Sequence, residues 1–297
     1  MPANISQTLT LVLANRDAST FDKAIGLIPN GEEVTILSDN KAVDIELKTG
    51  NYDNLQEDLS AQLVKHAIKA DACVQPSKNR KKSLLICDMD STLIGQECIN
   101  ELADFAGVKD HVSEITERAM RGEIGFDGAL KERVNLLKDL PLSTLQKCFD
   151  ERIYLNEGAR TLCQTMKASG TKTVIVSGGF TFFTGRVAEL CGFDDHQANI
   201  LLDDGASLSG KVGMPILGRE AKLDALKDHS KDLGGPMNSI AIGDGANDLA
   251  MITAAGLGIA YYAKPAVAAA AHCAINHTDL TTALYYQGFK ESEFVTS

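Results

Sequence analysis

The fold of this chain follows from one ten-residue stretch, Ser83-Leu84-Leu85-Ile86-Cys87-Asp88-Met89-Asp90-Ser91-Thr92. Its apolar run is short enough for a buried strand, and the run ends abruptly in two acids separated by one residue. Ligands of open α/β sheets bind where parallel strands end, so acids at such a position face the functional crevice. A strand followed by an ordinary turn would use the same residue types. The rest of the chain decides between these interpretations.

Two later apolar runs end in the same way. Residues 173–177 lead into Ser177-Gly178-Gly179, and residues 239–242 lead into Gly243-Asp244-Gly245-Ala246-Asn247-Asp248. Helical patterns at 157–169, 182–191, 219–229 and 265–271, with short strands at 257–260 and 273–275, surround these runs. Strands that alternate with helices predict a doubly wound, Rossmann-like α/β core with a parallel sheet. Three polar strand ends at one sheet edge favour a functional site over turn chemistry.

The segment between the first two of these strands is helical throughout. Apolar residues recur at helical spacing over 96–154, with no strand pattern among them. Helices inserted after the first strand of an α/β unit predict a helical-bundle cap over its active-site edge. We therefore expect a catalytic domain over 81–297, with its core at 83–95 and 155–297 and its cap at 96–154.

Residues 1–80 are expected to form a separate domain and linker. Strand patterns at 7–13, 34–37, 43–47 and 72–74 alternate with helical patterns at 21–28, after a Ser19 or Thr20 cap, and at 52–68. The order βαββαβ predicts a ferredoxin-like α+β fold. This unit resembles the amino-acid-sensing ACT modules, but its loop 15–18 lacks the glycine that such modules often use near a ligand. We favour a packing or homodimerisation role over an effector site.

Composition limits the class of partner. The chain has 297 residues, 44% hydrophobic content and a net charge of -11, which argues against nucleic-acid and anionic-membrane binding. The sequence has no apolar run long enough to cross a bilayer and no signal-peptide pattern at its start. Its seven cysteines are scattered without a CxxC pair. These features predict a reduced cytoplasmic protein without a zinc site.

The strand-end residues have the chemistry of phosphoryl transfer. Asp88 would be the nucleophile, and Asp90 would donate a proton to the leaving group and later accept one from water. Carboxylates around a phosphate require a hard cation, and oxygen ligands favour Mg²⁺. We expect Asp88 and Asp244 to bind it by their side chains and Asp90 by its backbone carbonyl. Asp248 would contact the ion through a water molecule or contact one of the ligands of the ion.

The phosphate itself needs donors. The Ser177 hydroxyl and the Gly178 N–H can bind its oxygens, and a lysine should neutralise the remaining charge. Lys222 is the best candidate, because it lies near the start of a helix between the serine and Gly-Asp segments. Asn247 would orient Lys222 or bind the phosphate.

These motifs together resemble the haloacid dehalogenase-like (HAD) superfamily and, within it, the phosphoserine phosphatases, over residues 84–288. The resemblance implies Mg²⁺-dependent hydrolysis of phosphoserine, the last step of serine biosynthesis. It also implies that Glu97 binds the substrate ammonium, that Arg133 holds the carboxylate, and that Met120 and Phe126 exclude water. The chain departs from the family pattern at 195–197 and at Asn100, away from the expected chemistry.

Four other functions share parts of this pattern. A phosphatase for another small phosphomonoester, or a phosphotransferase to homoserine, would keep the core residues and differ in the cap. A receiver-type phosphoacceptor switch also uses a strand-end aspartate, Mg²⁺ and a lysine. Asp90 argues against the switch, because a nearby acid-base group would promote hydrolysis of an aspartyl phosphate that a switch must keep stable. The helical cap, which receivers lack, also argues against it. A cation-pumping ATPase would need membrane helices.

Overall fold

The computed structural model describes residues 6–28, 33–47, 52 and 54–296. Its strands, numbered in chain order, are β1 Gln7–Leu13, β2 Glu33–Ser38, β3 Ala42–Leu47, β4 Ala70–Pro76, β5 Leu84–Cys87, β6 Lys172–Phe180, β7 Asp195–Asn199, β8 Leu201–Asp203, β9 Leu208–Val212, β10 Ser239–Gly243, β11 Leu257–Tyr261 and β12 Cys273–Ile275. The helices are α1 Ala18–Gly26, α2 Leu55–Lys65, α3 Cys98–Phe105, α4 Lys109–Met120, α5 Phe126–Asn135, α6 Leu142–Arg152, α7 Ala159–Ala168, α8 Thr181–Cys191, α9 Arg219–Ser230, α10 Leu249–Ala254, α11 Pro265–Ala268 and α12 Thr282–Tyr286. Among the described helices, none has the length and apolarity to span a membrane.

The main sheet has six strands in the order β12-β11-β10-β5-β6-β7, and every pair is parallel. All four residues of β5 are buried, as its uninterrupted apolar sequence predicts for a strand covered on both faces. The strand order runs outward in one direction from β5 and in the other from β10, so the topological switch point lies between these two strands. This arrangement confirms the doubly wound α/β core.

The N-terminal sheet is antiparallel with the order β2-β3-β1-β4, as a ferredoxin-like unit requires. Alternate residues of β1 face different layers, since Leu11 belongs to the apolar cluster under α1 and α2 while Val12 belongs to the cluster of the main body. Both faces of this strand are therefore buried. The second face of the sheet packs against the rest of the chain.

Buried polar groups connect the two sheets. The carboxylate of Asp71 on β4 accepts hydrogen bonds from the N–H groups of Asn276, His277 and Thr278 and from the Thr278 hydroxyl, at 2.6–3.1 Å. Arg80, in the segment between the sheets, forms a 2.6 Å ion pair with Asp44 of β3. Charged groups that are satisfied in this way fix the orientation of the N-terminal sheet.

The cap consists of α3 to α6 and lies between β5 and α7 in the chain. Its inner side chains, including Leu102, Val112, Leu130 and Val134, belong to the same apolar cluster as the main body. The helical spacing of these residues predicted this packing.

The structure corrects several local predictions. The cap of α1 is Asp17, whose side chain accepts a 2.7 Å hydrogen bond from the Thr20 N–H, so the helix begins before Ser19 and Thr20. Residues 195–199, where no strand was predicted, form β7 at the edge of the main sheet. The helix expected over 265–271 ends at Ala268. Part of the hairpin and helix predictions for the N-terminal unit lies outside the described residues.

Candidate active site

Three polar strand ends meet at the carboxyl edge of the main sheet. Cys87 pairs with Ile242 on one side and with Ile175 on the other, so the residues that follow these strands converge. Asp88 follows β5, Asp244 follows β10, and Ser177 follows Val176 of β6, after which the pairing of β6 with β7 is interrupted. These residues line one cleft of about 460 Å³ between the sheet edge and the cap.

Lys222 joins two carboxylates beneath this cleft. Its ammonium lies 2.6 Å from Oδ2 of Asp88 and 2.5 Å from Oδ1 of Asp248, and all three side chains are buried. Burial lowers the pKa of Lys222, but the two carboxylates outweigh this effect and raise it, so the lysine is charged. The other oxygen of Asp88 accepts a 2.7 Å hydrogen bond from the Met89 N–H. Asp88 is held in one orientation by these contacts.

Asp88, Asp244 and Asp248 form an acidic group that could hold a metal ion. One carboxylate oxygen from each lies within 4.8 Å of the others. Burial, followed by the charge of Asp248, raises the pKa of Asp244 to about 6 and that of Asp88 well above its ordinary value. Such crowding of oxygen ligands fits a divalent cation, which would stabilise the ionised forms. Both oxygens of Asp248 are already engaged, one by Lys222 and one by the Gly245 N–H at 3.0 Å.

The carboxylate of Asp90 lies outside this group. It accepts hydrogen bonds from the Cys98 N–H at 2.9 Å and from the Ser177 hydroxyl at 3.3 Å. Burial raises the pKa of Asp90, against the opposing effect of the Cys98 hydrogen bond. A raised pKa favours the protonated form that a general acid needs.

Phe126 of the cap lies against two segments of the core, at Gly178 and at Gly218. A Cβ at Gly178 would lie 3.3 Å from the Phe126 ring, and a Cβ at Gly218 would also lie 3.3 Å from it. The side chain of Asn199 connects the same two segments, because it donates to the Gly178 carbonyl at 2.9 Å and accepts from the Leu217 N–H at 2.8 Å. Small residues at 178 and 218 therefore allow the aromatic ring to pack against both segments on this side of the cleft.

One acidic and one basic side chain, Glu97 and Arg133, lie on the cap side of the cleft. Glu97 accepts a 2.7 Å hydrogen bond from the Ser91 hydroxyl, and burial together with the Asp90 charge raises its pKa to about 7. Arg133 contacts the Ala129 carbonyl and Thr116, and among the described residues it has no carboxylate within 4.0 Å. Its guanidinium is available to an anionic ligand.

The predicted site residues are thus found around one cleft, with one exception. Those that line it are Asp88, Asp90, Glu97, Phe126, Arg133, Ser177, Gly178, Asp244 and Asn247, with Lys222 and Asp248 directly beneath. Met120 ends α4, and its side chain lies outside the described part of the structure.

Three further residues at the cleft were not predicted from the sequence. Thr92 donates to Asp244 at 3.3 Å, Asn199 positions the Gly178 carbonyl, and Lys264 lines the cleft from the loop after β11. Only Thr92 had a local signal, because it belongs to the strand-end motif. Asn199 and Lys264 come from segments whose neighbours are set by the sheet order.

Known proteins share this architecture. The family model described as haloacid dehalogenase-like hydrolase matches residues 85–253. A phosphoserine phosphatase from Archaeoglobus fulgidus is 47% identical over 197 residues, which are 65% of this chain and 57% of that protein. A probable phosphoserine phosphatase from Schizosaccharomyces pombe is 34% identical over 286 residues, which are 95% of each protein.

Two solved structures extend the comparison. A HAD family hydrolase from Salmonella enterica serovar Typhi has a TM-score of 0.84 at 28% identity, covering 94% of this chain and 98% of that one. A substrate-bound phosphoserine phosphatase has a TM-score of 0.64 at 39% identity, covering 69% of this chain and 98% of that one. The family match contains all three strand ends, Lys222 and the cap, and from it we conclude that the chain belongs to the haloacid dehalogenase-like hydrolases.

Proposed function

We propose that this chain hydrolyses O-phospho-L-serine to L-serine and phosphate, as the last step of serine biosynthesis, with Mg²⁺ as cofactor. One observation carries the proposal: a single cleft holds the acids Asp88 and Asp90 at its base and the pair Glu97 and Arg133 on its cap side. The first two suit a phosphoryl group, and the second two suit an ammonium and a carboxylate. The relatives named as phosphoserine phosphatases support the same substrate.

In the first step, the Asp88 carboxylate attacks phosphorus and the bond from phosphorus to the serine oxygen breaks. Asp90 gives its proton to that oxygen, so serine leaves as the neutral alcohol. The Ser177 hydroxyl, the Gly178 N–H and the Lys222 ammonium stabilise the charge on the phosphoryl oxygens. The 2.6 Å contact between Lys222 and Asp88 supports this role.

In the second step, water attacks the phosphorus of the aspartyl phosphate. The carboxylate of Asp90 takes a proton from the water, and the bond from phosphorus to Asp88 breaks. Phosphate leaves, and both aspartates return to their starting states. Asp90 is suited to both transfers because burial raises its pKa while two hydrogen bonds fix its position.

The side chains of Asp88 and Asp244 and the backbone carbonyl of Asp90 would hold Mg²⁺, and Asp248 would contact the ion through a water molecule or contact one of its ligands. When bound, the ion neutralises carboxylate and phosphate charge at the reacting centre. The oxygen-only donors and their mutual repulsion support a hard divalent cation.

The other end of the substrate would be bound by the cap. Glu97 pairs with the ammonium, and Arg133 binds the carboxylate by two parallel hydrogen bonds. Phe126, with Met120, excludes water from the reacting group. The absence of a carboxylate partner for Arg133 among the described residues supports this role.

We also propose that residues 1–80 form a packing domain joined to the catalytic domain at 81–297, with the core and cap divided at 96 and 154. The separate apolar cluster of the N-terminal sheet and the buried contacts of Asp71 support this division. Homodimer formation is tested by light scattering of the full chain.

The proposed activity is tested by phosphate release from L-phosphoserine, phosphothreonine, sugar phosphates and nucleotides, with Mg²⁺ and with chelator. We expect a strong preference for phosphoserine that chelator removes. Mg²⁺-dependent release from a different favoured ester would retain the core chemistry and reject the cap assignment. No release from any ester would reject hydrolysis and would leave the phosphoacceptor and phosphotransferase functions as the remaining candidates.

The nucleophile is tested with Asp88→Asn. We expect it to remove both turnover and acid-stable labelling from ³²P-phosphoserine, since an amide cannot form the acyl phosphate. Asp232→Asn, an exposed position outside the cleft, is the matched control. Retained turnover in Asp88→Asn would exclude this residue as the nucleophile.

A further inference from the structure

The cleft has an unbalanced charge. Four carboxylates line it, against the two cationic side chains Arg133 and Lys264, and the whole chain carries a net charge of -11. A bound Mg²⁺ would offset the carboxylates at the base of the cleft, but the field of the whole chain still repels an approaching phosphomonoester dianion. Lys222 is buried beneath Asp88, and Arg133 lies on the cap side. Lys264 is the cation on the sheet side that the mechanism has not used.

The backbone of Lys264 is firmly fixed. It follows β11, next to the loop after β10 that carries Asp244. Tyr262 adopts a left-handed φ of 44° while its N–H donates to the Ile275 carbonyl at 2.8 Å. Pro265 follows Lys264, whose carbonyl accepts hydrogen bonds from two N–H groups of α11. A non-glycine residue in this conformation persists only where surrounding contacts hold it, so the loop has a defined course.

The side chain of Lys264 is exposed, and in the described part of the chain it has no carboxylate within 4.0 Å. A fixed backbone therefore presents an ammonium group to an acidic cleft without an ion pair that would occupy it. Lys264 shares the cleft wall with Asp244 and Asn247. This position distinguishes it from a lysine on an open, solvated surface.

We propose that Lys264 is a substrate-binding residue at the cleft mouth, which attracts and positions the phosphate dianion. The inference rests on the proposed phosphatase function. Because Lys264 lies on the sheet side, it should affect every phosphomonoester, whereas Arg133 should affect only those with a carboxylate. It should also act on binding more than on the chemical step.

The test compares Lys264→Met, Lys264→Arg and the wild type, with Lys65→Met as the control. Lys65 is an exposed lysine of α2, outside the cleft lining and without a carboxylate within 4.0 Å among the described residues. Lys65→Met changes the net charge by the same amount as Lys264→Met. The measurements are kcat and KM for phosphoserine and phenyl phosphate at low and high salt, and inhibition by inorganic phosphate.

We expect Lys264→Met to lower kcat/KM about tenfold at low salt for both esters, through KM, and to weaken phosphate inhibition similarly. The difference should shrink at high salt, because the charge is screened. Lys264→Arg should remain near the wild type, as should Lys65→Met. Unfolding temperatures of all variants should agree, and Lys264→Gln replaces Lys264→Met if the latter is destabilised.

Unchanged KM, salt dependence and phosphate inhibition in Lys264→Met would overturn the inference while leaving the phosphatase function intact. An equal loss in Lys65→Met would also overturn it, since the effect would then come from net charge alone. A wild type that hydrolyses no ester would overturn the proposed function and this inference together.

Discussion

The ammonium of Lys222 lies 2.6 Å from Oδ2 of Asp88, and both side chains are buried at the base of the cleft. Lys222→Met would remove the charge while keeping much of the volume. We expect turnover to fall by about 100-fold or more, because the phosphoryl oxygens lose a preorganised cation. The free energy of unfolding should fall by about 3 kcal/mol, since Asp88 and Asp248 lose their shared partner.

Lys227→Met, an exposed change on the same helix, is the control for Lys222→Met. Steady-state kinetics and urea unfolding measure the two effects. Wild-type turnover in Lys222→Met would contradict the assigned role.

Arg133→Ala should separate substrates by their carboxylate. We expect KM for phosphoserine to rise about 10–100-fold, because a charge-assisted bidentate contact is lost. Phenyl phosphate has no carboxylate, so its hydrolysis should remain nearly unchanged. Lys131→Ala, an exposed cation on the same helix, is the matched control. Equal losses on both substrates would reject the carboxylate contact.

Glu97 should make substrate binding depend on pH. Its pKa is raised to about 7, so the carboxylate gains a proton and loses its attraction for the ammonium as pH falls through this value. KM for phosphoserine should therefore rise below about pH 7 more steeply than KM for phenyl phosphate. Protonation of the phosphate affects both substrates and cancels in this comparison.

Glu97→Gln should give a KM for phosphoserine that is high at every pH. The pH dependence of KM should then be the same for phosphoserine and for phenyl phosphate. Glu114→Gln, an exposed cap position, should keep the wild-type profile. A Glu97→Gln enzyme with the wild-type pH profile would assign the titration to another group.

Gly179→Ala tests how closely the site around Asp90 is packed. A Cβ there would lie 2.5 Å from Oδ2 of Asp90 and 3.2 Å from the Ser177 hydroxyl oxygen, so Asp90 must move. We expect kcat to fall about 100-fold, because proton transfer depends on a fixed position. Gly26→Ala, with nothing within 4 Å of its added Cβ, is the control and should leave kcat unchanged. Full activity in Gly179→Ala would show that Asp90 needs no such position.

The sequence by itself determined the elements and the acids. An apolar run that ends in Asp88 and Asp90 is a local signal, because a buried strand and the turn after it use neighbouring residues. The strand at Gln7–Leu13 matches its prediction residue for residue, and the helical cap follows from spacing alone. The family motifs extended this local information to Glu97, Phe126 and Arg133.

Only the tertiary structure decided which elements are neighbours. It places β5 beside β10 at the switch point, which brings Asp88 near Asp244. It makes 195–199 an edge strand of the main sheet and puts Lys264 in the cleft wall. Periodicity reports which face of an element is buried, but the crossover connections decide what that face meets. Contacts between distant segments therefore depend on the packing of the whole chain.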